Sequence, residues 1–168
     1  SGMSRLVFDP VAARKDLEHA FRLFEQKNQD LTGVLLCCSA IIESYYCCGD
    51  NMAPTISWGD RLQQLLQQHN GFPSPTITGK VLTNLQGLIF ACPHHPLIQE
   101  LDQSLQQILH TLEDPIARVG AATTFMNLIL WRGHFVRMRQ LLHDLNARST
   151  GVSLPPIHLL TWDVMEAH

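Results

Sequence analysis

Apolar residues recur at three- and four-residue spacing in one window after another. Leu17, Ala20, Phe21 and Phe24 form one set, and Ile56, Leu62, Leu65 and Leu66 a second. Leu105, Ile108 and Leu109 form a third, and Met138, Leu141 and Leu142 a fourth. That period belongs to helices with one buried face. The punctuation between the windows sets their limits. Asp9-Pro10, Pro96, Asp114-Pro115 and Pro155-Pro156 are helix openings, and Asp30 is an N-cap. Gly49, Asn70-Gly71, Pro93 and Gly133 are stops. The pattern predicts helices over about 10–28, 31–48, 55–69, 76–92, 96–112, 115–133, 134–148 and 156–167. Val34–Cys38 and Leu128–Trp131 read as strands in isolation. They sit inside unbroken windows of 16–18 residues, which favours helix. No two-residue hairpin signal separates alternating segments. The expected class is all-α, about eight antiparallel helices joined by short loops.

The second, fourth and sixth windows share a design. Gly33, Gly79 and Gly120 each stand early in an apolar helix, 46 and 41 residues apart. Each helix then reaches a turn and is followed by one with a short apolar cluster. A two-helix unit of this length is the period of helical solenoids, whose units bury their apolar faces only by stacking. The second helix of each unit is amphipathic. Gln63, Gln64, Gln67 and Gln68 lie along one, and Gln99, Gln103, Gln106 and Gln107 along the next. The odd-numbered helices are therefore expected outside and the even-numbered ones inside.

Composition narrows the function. The 168 residues are 45% apolar and 16% charged, too apolar for a disordered chain. The net charge of −3 gives no footprint for nucleic acid. Uninterrupted apolar runs stop short of the ~18 residues of a membrane span, so no membrane association is expected. Ser1-Gly2-Met3 reads as an expression scar and 4–168 as a single helical-repeat domain. Cys37, Cys38, Cys47, Cys48 and Cys92 follow no secretion signal, which fits reduced thiols and a cytoplasmic location.

The stretch from Asp114-Pro115 through Leu130-Trp131-Arg132-Gly133-His134-Phe135 to Met138-Arg139-Gln140-Leu141-Leu142 resembles a known repeat. It is similar to the tetratricopeptide-like repeat region of large bacterial ATP-dependent (STAND-type) transcriptional regulators of the maltose-regulator kind. The likeness spans about 31–148 and is sharpest over 114–146. His134 stands where that repeat usually has Asp, and Met138 where it has Ala. The resemblance implies a right-handed α-α superhelix acting as a sensor. Such a region binds a small inducer or a protein and relays the event to ATPase and DNA-binding modules of the same regulator. No G-x-x-x-x-G-K-[ST] loop and no basic recognition helix occur in this chain.

Catalytic and metal chemistry find little support. Cys37 and Cys48 are 11 residues apart, about 16 Å along a helix, too far to share one zinc. Cys92-Pro93-His94-His95 is a better ligand cluster but lacks a fourth partner. No G-x-S-x-G elbow is present, and His69, His94, His95, His110 and His134 fall at predicted helix ends, where imidazoles meet terminal carbonyls. The expectation is a non-enzyme with no metal and no cofactor. Arg132, Arg137 and Arg139, with Arg148, form a basic face suited either to an acidic partner or to solvent.

Aligning the three inner helices on their glycines exposes a further pattern. Positions four, seven and eleven after the glycine read Cys37, Ala40, Ser44; then Thr83, Gln86, Phe90; then Thr124, Asn127, Trp131. Polar groups in otherwise apolar helices need partners or water. Two readings follow. Thr83, Gln86, Phe90, Thr124, Asn127 and Trp131 line a concave groove for a protein segment or a small polar ligand, or they are small and polar so that helices pack closely. The functional expectation is a ligand- or protein-binding sensor module. The alternative is a stand-alone scaffold that joins protein partners.

Overall fold

Side-chain caps and prolines fix most helix starts. In a computed structural model, which describes residues 8–28, 30–49 and 51–149, Asp9 Oδ1 accepts from Ala12 N–H at 3.0 Å and opens α1 (Pro10–Leu23). Asp30 Oδ1 accepts from Gly33 N–H and opens α2 (Leu31–Cys48). Pro54 starts α3 (Pro54–Gln68), and Ser74 caps α4 (Pro75–Thr83). A short α5 (Gln86–Ala91) follows. His95 and Asp114 cap α6 (Pro96–Thr111) and α7 (Pro115–Trp131), and α8 is Phe135–Ser149. Gly49 and Gly133 close α2 and α7 at φ of 60° and 70°, the left-handed region in which a Cβ is strained.

The described residues are all-helical and contain no strand, as the periodicity predicts. The helix expected over 156–167 and the Ser1–Met3 scar lie outside the described residues. One predicted helix window fails. The window 76–92 is two helices, broken at Asn84-Leu85. Tertiary bonds accompany the break. Thr124 Oγ1 donates to the Thr83 carbonyl at 3.2 Å, and Asn84 Nδ2 is drawn to Ser39 Oγ at 3.3 Å. The Asn84 and Leu85 amides fall back on i−3 carbonyls. At the other end of the chain, α1 runs into a π-helical turn over Phe24–Asn28. This turn lays the Phe24 ring where a Cβ on Gly33 would stand 2.6 Å away.

Three elements run parallel in a fixed register. Asn84 meets Ser39, Gly87 meets Ile42, and Phe90 meets Tyr46, tying α4 and α5 to α2. Thr83 meets Thr124, Gln86 meets Asn127, and Phe90 meets Trp131, each pair 41 residues apart, tying them to α7. Glycines permit the approach. A Cβ on Gly79 would lie 2.9 Å from Ala117 Cβ, and one on Gly120 would lie 2.8 Å from Thr83 Oγ1. The other helices pack across this set. Gly59 of α3 abuts Leu88, α6 contacts α3 and α7, and α8 contacts α7. Of the eight glutamines on α3 and α6, all but the half-buried Gln63 are exposed, as the outer placement predicts. Helix α1 departs from that scheme. It lies along α2, with Arg14 Nε donating to Ser44 Oγ and the guanidinium over the Tyr45 ring. Its Phe21 meets Trp58 of α3 edge-on.

The expectation about apolar length also needs correcting. With a mean hydropathy of 1.5 over 18 residues, α2 is long and apolar enough to cross a membrane. It contains polar interruptions, Ser39, Glu43 and Ser44, which is why no unbroken run reveals it. In the fold its apolar side chains face α1, α3, α4 and α5, and Leu35, Cys38, Ala40, Ile41 and Ile42 have no exposed surface.

Gly87 is the least forgiving contact. A Cβ there would lie 2.6 Å from the Ile42 carbonyl oxygen, a backbone atom that cannot swing aside. Gly87→Ala is expected to cost roughly 1–3 kcal/mol. Gly49→Ala meets nothing within 4 Å and is expected to cost only the ~1–2 kcal/mol of left-handed backbone. Urea denaturation of both variants tests this ordering.

Candidate functional site

A concavity opens where α1, α2, α4 and the first turn of α7 meet. It holds about 510 Å³, within the usual ~300–1,000 Å³ of small-molecule sites. Leu17, Leu36, Cys37, Ile116 and Ala117 form the apolar wall, and Lys80, Thr83, Asn84 and Asp114 supply the polar groups. The close Gly79–Ala117 contact fixes the α4–α7 side. Thr83 Oγ1 donates to the Gly79 carbonyl, and Asn84 is tied to Ser39. Asp114 Oδ1 accepts from Ile116 N–H at 3.0 Å. Burial, and secondarily the charge of Asp30, push the Cys37 thiol up to about 11. That shift keeps the wall thiol protonated near neutral pH.

The aligned stripe is brought together, though in two different ways. Thr124 is buried against the Thr83 backbone. Asn127 Nδ2 donates to Gln86 Oε1 at 3.1 Å, with Gln86 only 7% exposed. These two tiers are the seam between helices, and only Thr83 also reaches the cleft. The third tier is open. Phe90 and Trp131 meet edge to face at 4.1 Å between centroids, are 38% and 50% exposed, and continue into Tyr46 at 5.4 Å. Tyr46 is absent from the sequence-derived set because it lies two residues beyond Ser44 in the glycine register. Leu17, Lys80, Ile116 and Ala117 are absent for other reasons. Leu17 reads as ordinary core. Lys80 carried a signal, being the only Asp, Glu, Lys or Arg between Arg61 and Glu100.

The basic face divides. Arg137 and Arg132 both converge on Asp102 of α6, whose side chain is 8% exposed. Arg137 Nη2 donates to Oδ1 at 2.7 Å, and Arg132 Nη1 donates to Oδ2 at 2.9 Å while its Nη2 takes the Pro93 carbonyl. These two arginines clamp α6 to the α7–α8 turn, whereas Arg139 is exposed. The Cys92–His95 loop is likewise structural. His95 Nδ1 accepts from Leu97 N–H, which leaves the ring proton on Nε2 to donate to Asp60 Oδ1 at 3.2 Å. His95 thus serves a helix start, where the sequence pattern pointed to terminal carbonyls. Among the described residues no three His, Cys, Asp or Glu side chains converge as a metal site would need.

Among the described residues, two buried polar atoms of the inner helices, Glu43 Oε2 and Gln86 Nε2, have no partner. Burial pushes the Glu43 carboxyl up to about 7, partly offset by the Cys47 thiol donating to it. Its folded value lies above the 4.5 of a free glutamate. Ionisation of Glu43 therefore opposes folding, so its contribution to stability is full below pH 4.5 and is lost as pH rises toward 7. Glu43→Gln is expected to flatten that decline and to be more stable at pH 8 by on the order of 2 kcal/mol. Urea melts of both proteins at pH 4.5, 6 and 8 measure the effect. Asp102→Ala strands two cations and is expected to cost on the order of 3 kcal/mol, the low end for a buried pair because both guanidiniums reach water. Arg139→Ala is expected to change the same unfolding curve by less than about 0.5 kcal/mol.

No family model, no curated protein and no solved structure matches this chain.

Proposed function

We propose that the chain is a non-catalytic binding module of tetratricopeptide-like superhelical build, the sensor part of a bacterial transcriptional regulator. The observation that carries the reading is the cleft of about 510 Å³ where α1, α2, α4 and α7 meet. Its walls are aliphatic and its one buried thiol is held protonated. A site of this kind selects by shape and polarity and performs no chemistry. The superhelix is supported by the parallel register of α2, α4–α5 and α7, whose offsets of about 45 and 41 residues match the glycine spacing. The regulator context rests on the resemblance of 114–146. Ligand entry would bridge α1, α2, α4 and α7, and a change in their spacing is the signal such a module would pass to its neighbours.

A second reading has its own observation. Tyr46, Phe90, Trp131 and Phe135 expose aromatic area at the ends of α2, α5 and α7 and the start of α8. A scaffold would use that surface for a protein partner.

Nile red, a neutral apolar dye, separates the two. The sensor reading predicts one saturable site per chain whose dye affinity falls about ten-fold or more in Ile116→Asp and is unchanged in Trp131→Ala. The scaffold reading predicts the reverse. Ile116 and Trp131 are 45% and 50% exposed, so both variants are expected to retain the fold, which circular dichroism checks.

A further inference from the structure

The polar groups around the cleft are not equivalent, and this points to the class of ligand. Asn84 is spent on Ser39, and Thr83 on its own helix. Asp114 turns one carboxylate oxygen back onto the first turn of α7, where the positive end of the helix offsets its charge. Lys80 is exposed at the rim, and no hydrogen bond or ion pair holds its ammonium among the described residues. The nearest basic residue in sequence, Arg61, is paired with Glu25. Among the described residues the lining contains no aromatic ring; the aromatic row of Tyr46, Phe90 and Trp131 involves none of the cleft residues. A flexible aliphatic body therefore fits the wall better than a flat ring.

We infer that the cleft binds an amphipathic carboxylate, its aliphatic chain between Leu17, Leu36 and Ile116 and its carboxylate on the Lys80 ammonium. This rests on the cleft being the functional site and adds the chemistry of what enters it. A charge-assisted hydrogen bond to Lys80 favours the acid over an uncharged analogue of equal length, whereas the apolar wall treats both alike.

The test is calorimetric titration of the full chain with dodecanoate, dodecanol and dodecylammonium, each below its micellar range. The expected result is one dodecanoate per chain, bound about ten-fold or more tightly than dodecanol. Lys80→Gln should erase that gap while leaving dodecanol binding as it was. Asp114→Asn keeps the cap and removes the negative charge, so dodecanoate should bind as well or better. Equal binding of acid and alcohol, a gap that survives Lys80→Gln, or preferred binding of dodecylammonium overturns the assignment while leaving the cleft as the site. Dodecanoate binding unaffected by Ile116→Asp places it elsewhere and also overturns it. Failure of all three amphiphiles while Nile red still binds rejects the ligand class. Failure of Nile red as well rejects the cleft.

Discussion

The reciprocal close approach of α4 and α7 governs the rest of the structure. Gly79 faces Ala117 and Gly120 faces Thr83, and neither position has room for a side chain. Once the backbones are that near, the tiers above them are determined. Thr124 reaches the Thr83 carbonyl, Asn127 reaches Gln86, and the Phe90 and Trp131 rings meet edge to face. The helix break at Asn84-Leu85 belongs to the same constraint. It lets α5 turn toward α2, where Gly87 settles against the Ile42 carbonyl, without losing the 41-residue register with α7. Polar groups fit in this seam because each of the first two tiers bonds across it; in an apolar helix the alternative is an unpaired group.

The cleft is a by-product of the same geometry. Helices α2, α4 and α7 lie side by side, and α1 pairs with α2 rather than joining the outer set. Leu17 then lines one cleft with Lys80 and Ile116, and the space between is not filled by any described side chain. A cation stands at its rim and the protonated Cys37 thiol in its wall. The Asp102 clamp holds α6 to the α7–α8 turn through Arg132 and Arg137.

Much of the fold was legible because helix grammar is local. Asp9-Pro10, Asp30 and Asp114-Pro115 are caps in the structure as in the sequence, and Gly49 and Gly133 close helices in the left-handed region. The glycine alignment was informative because packing glycines recur at equivalent heights in stacked helices, so Thr83–Thr124, Gln86–Asn127 and Phe90–Trp131 came out as facing pairs. The illegible parts are those decided by distant residues. The split of 76–92 coincides with bonds to Ser39 and Thr124. The pairing of Arg132 and Arg137 with Asp102 joins residues 30 and 35 apart. The cleft lining draws Leu17 from α1 and Ile116 from α7, and no period along the chain links them. The stripe therefore divided into seam and open aromatic row, which one spacing rule cannot separate.

The central claim is the parallel register that sets both seam and cleft. Its most direct measurement is a ¹³C/¹⁵N-edited NOESY spectrum of the labelled chain. Cross-peaks are predicted between the Gln86 and Asn127 side-chain amides, between the Phe90 and Trp131 rings, and from the Thr124 methyl to Thr83, all at an interval of 41 residues. Cross-peaks displaced by three or four residues, or Gln86 and Asn127 amides with contacts only to solvent, would contradict the account.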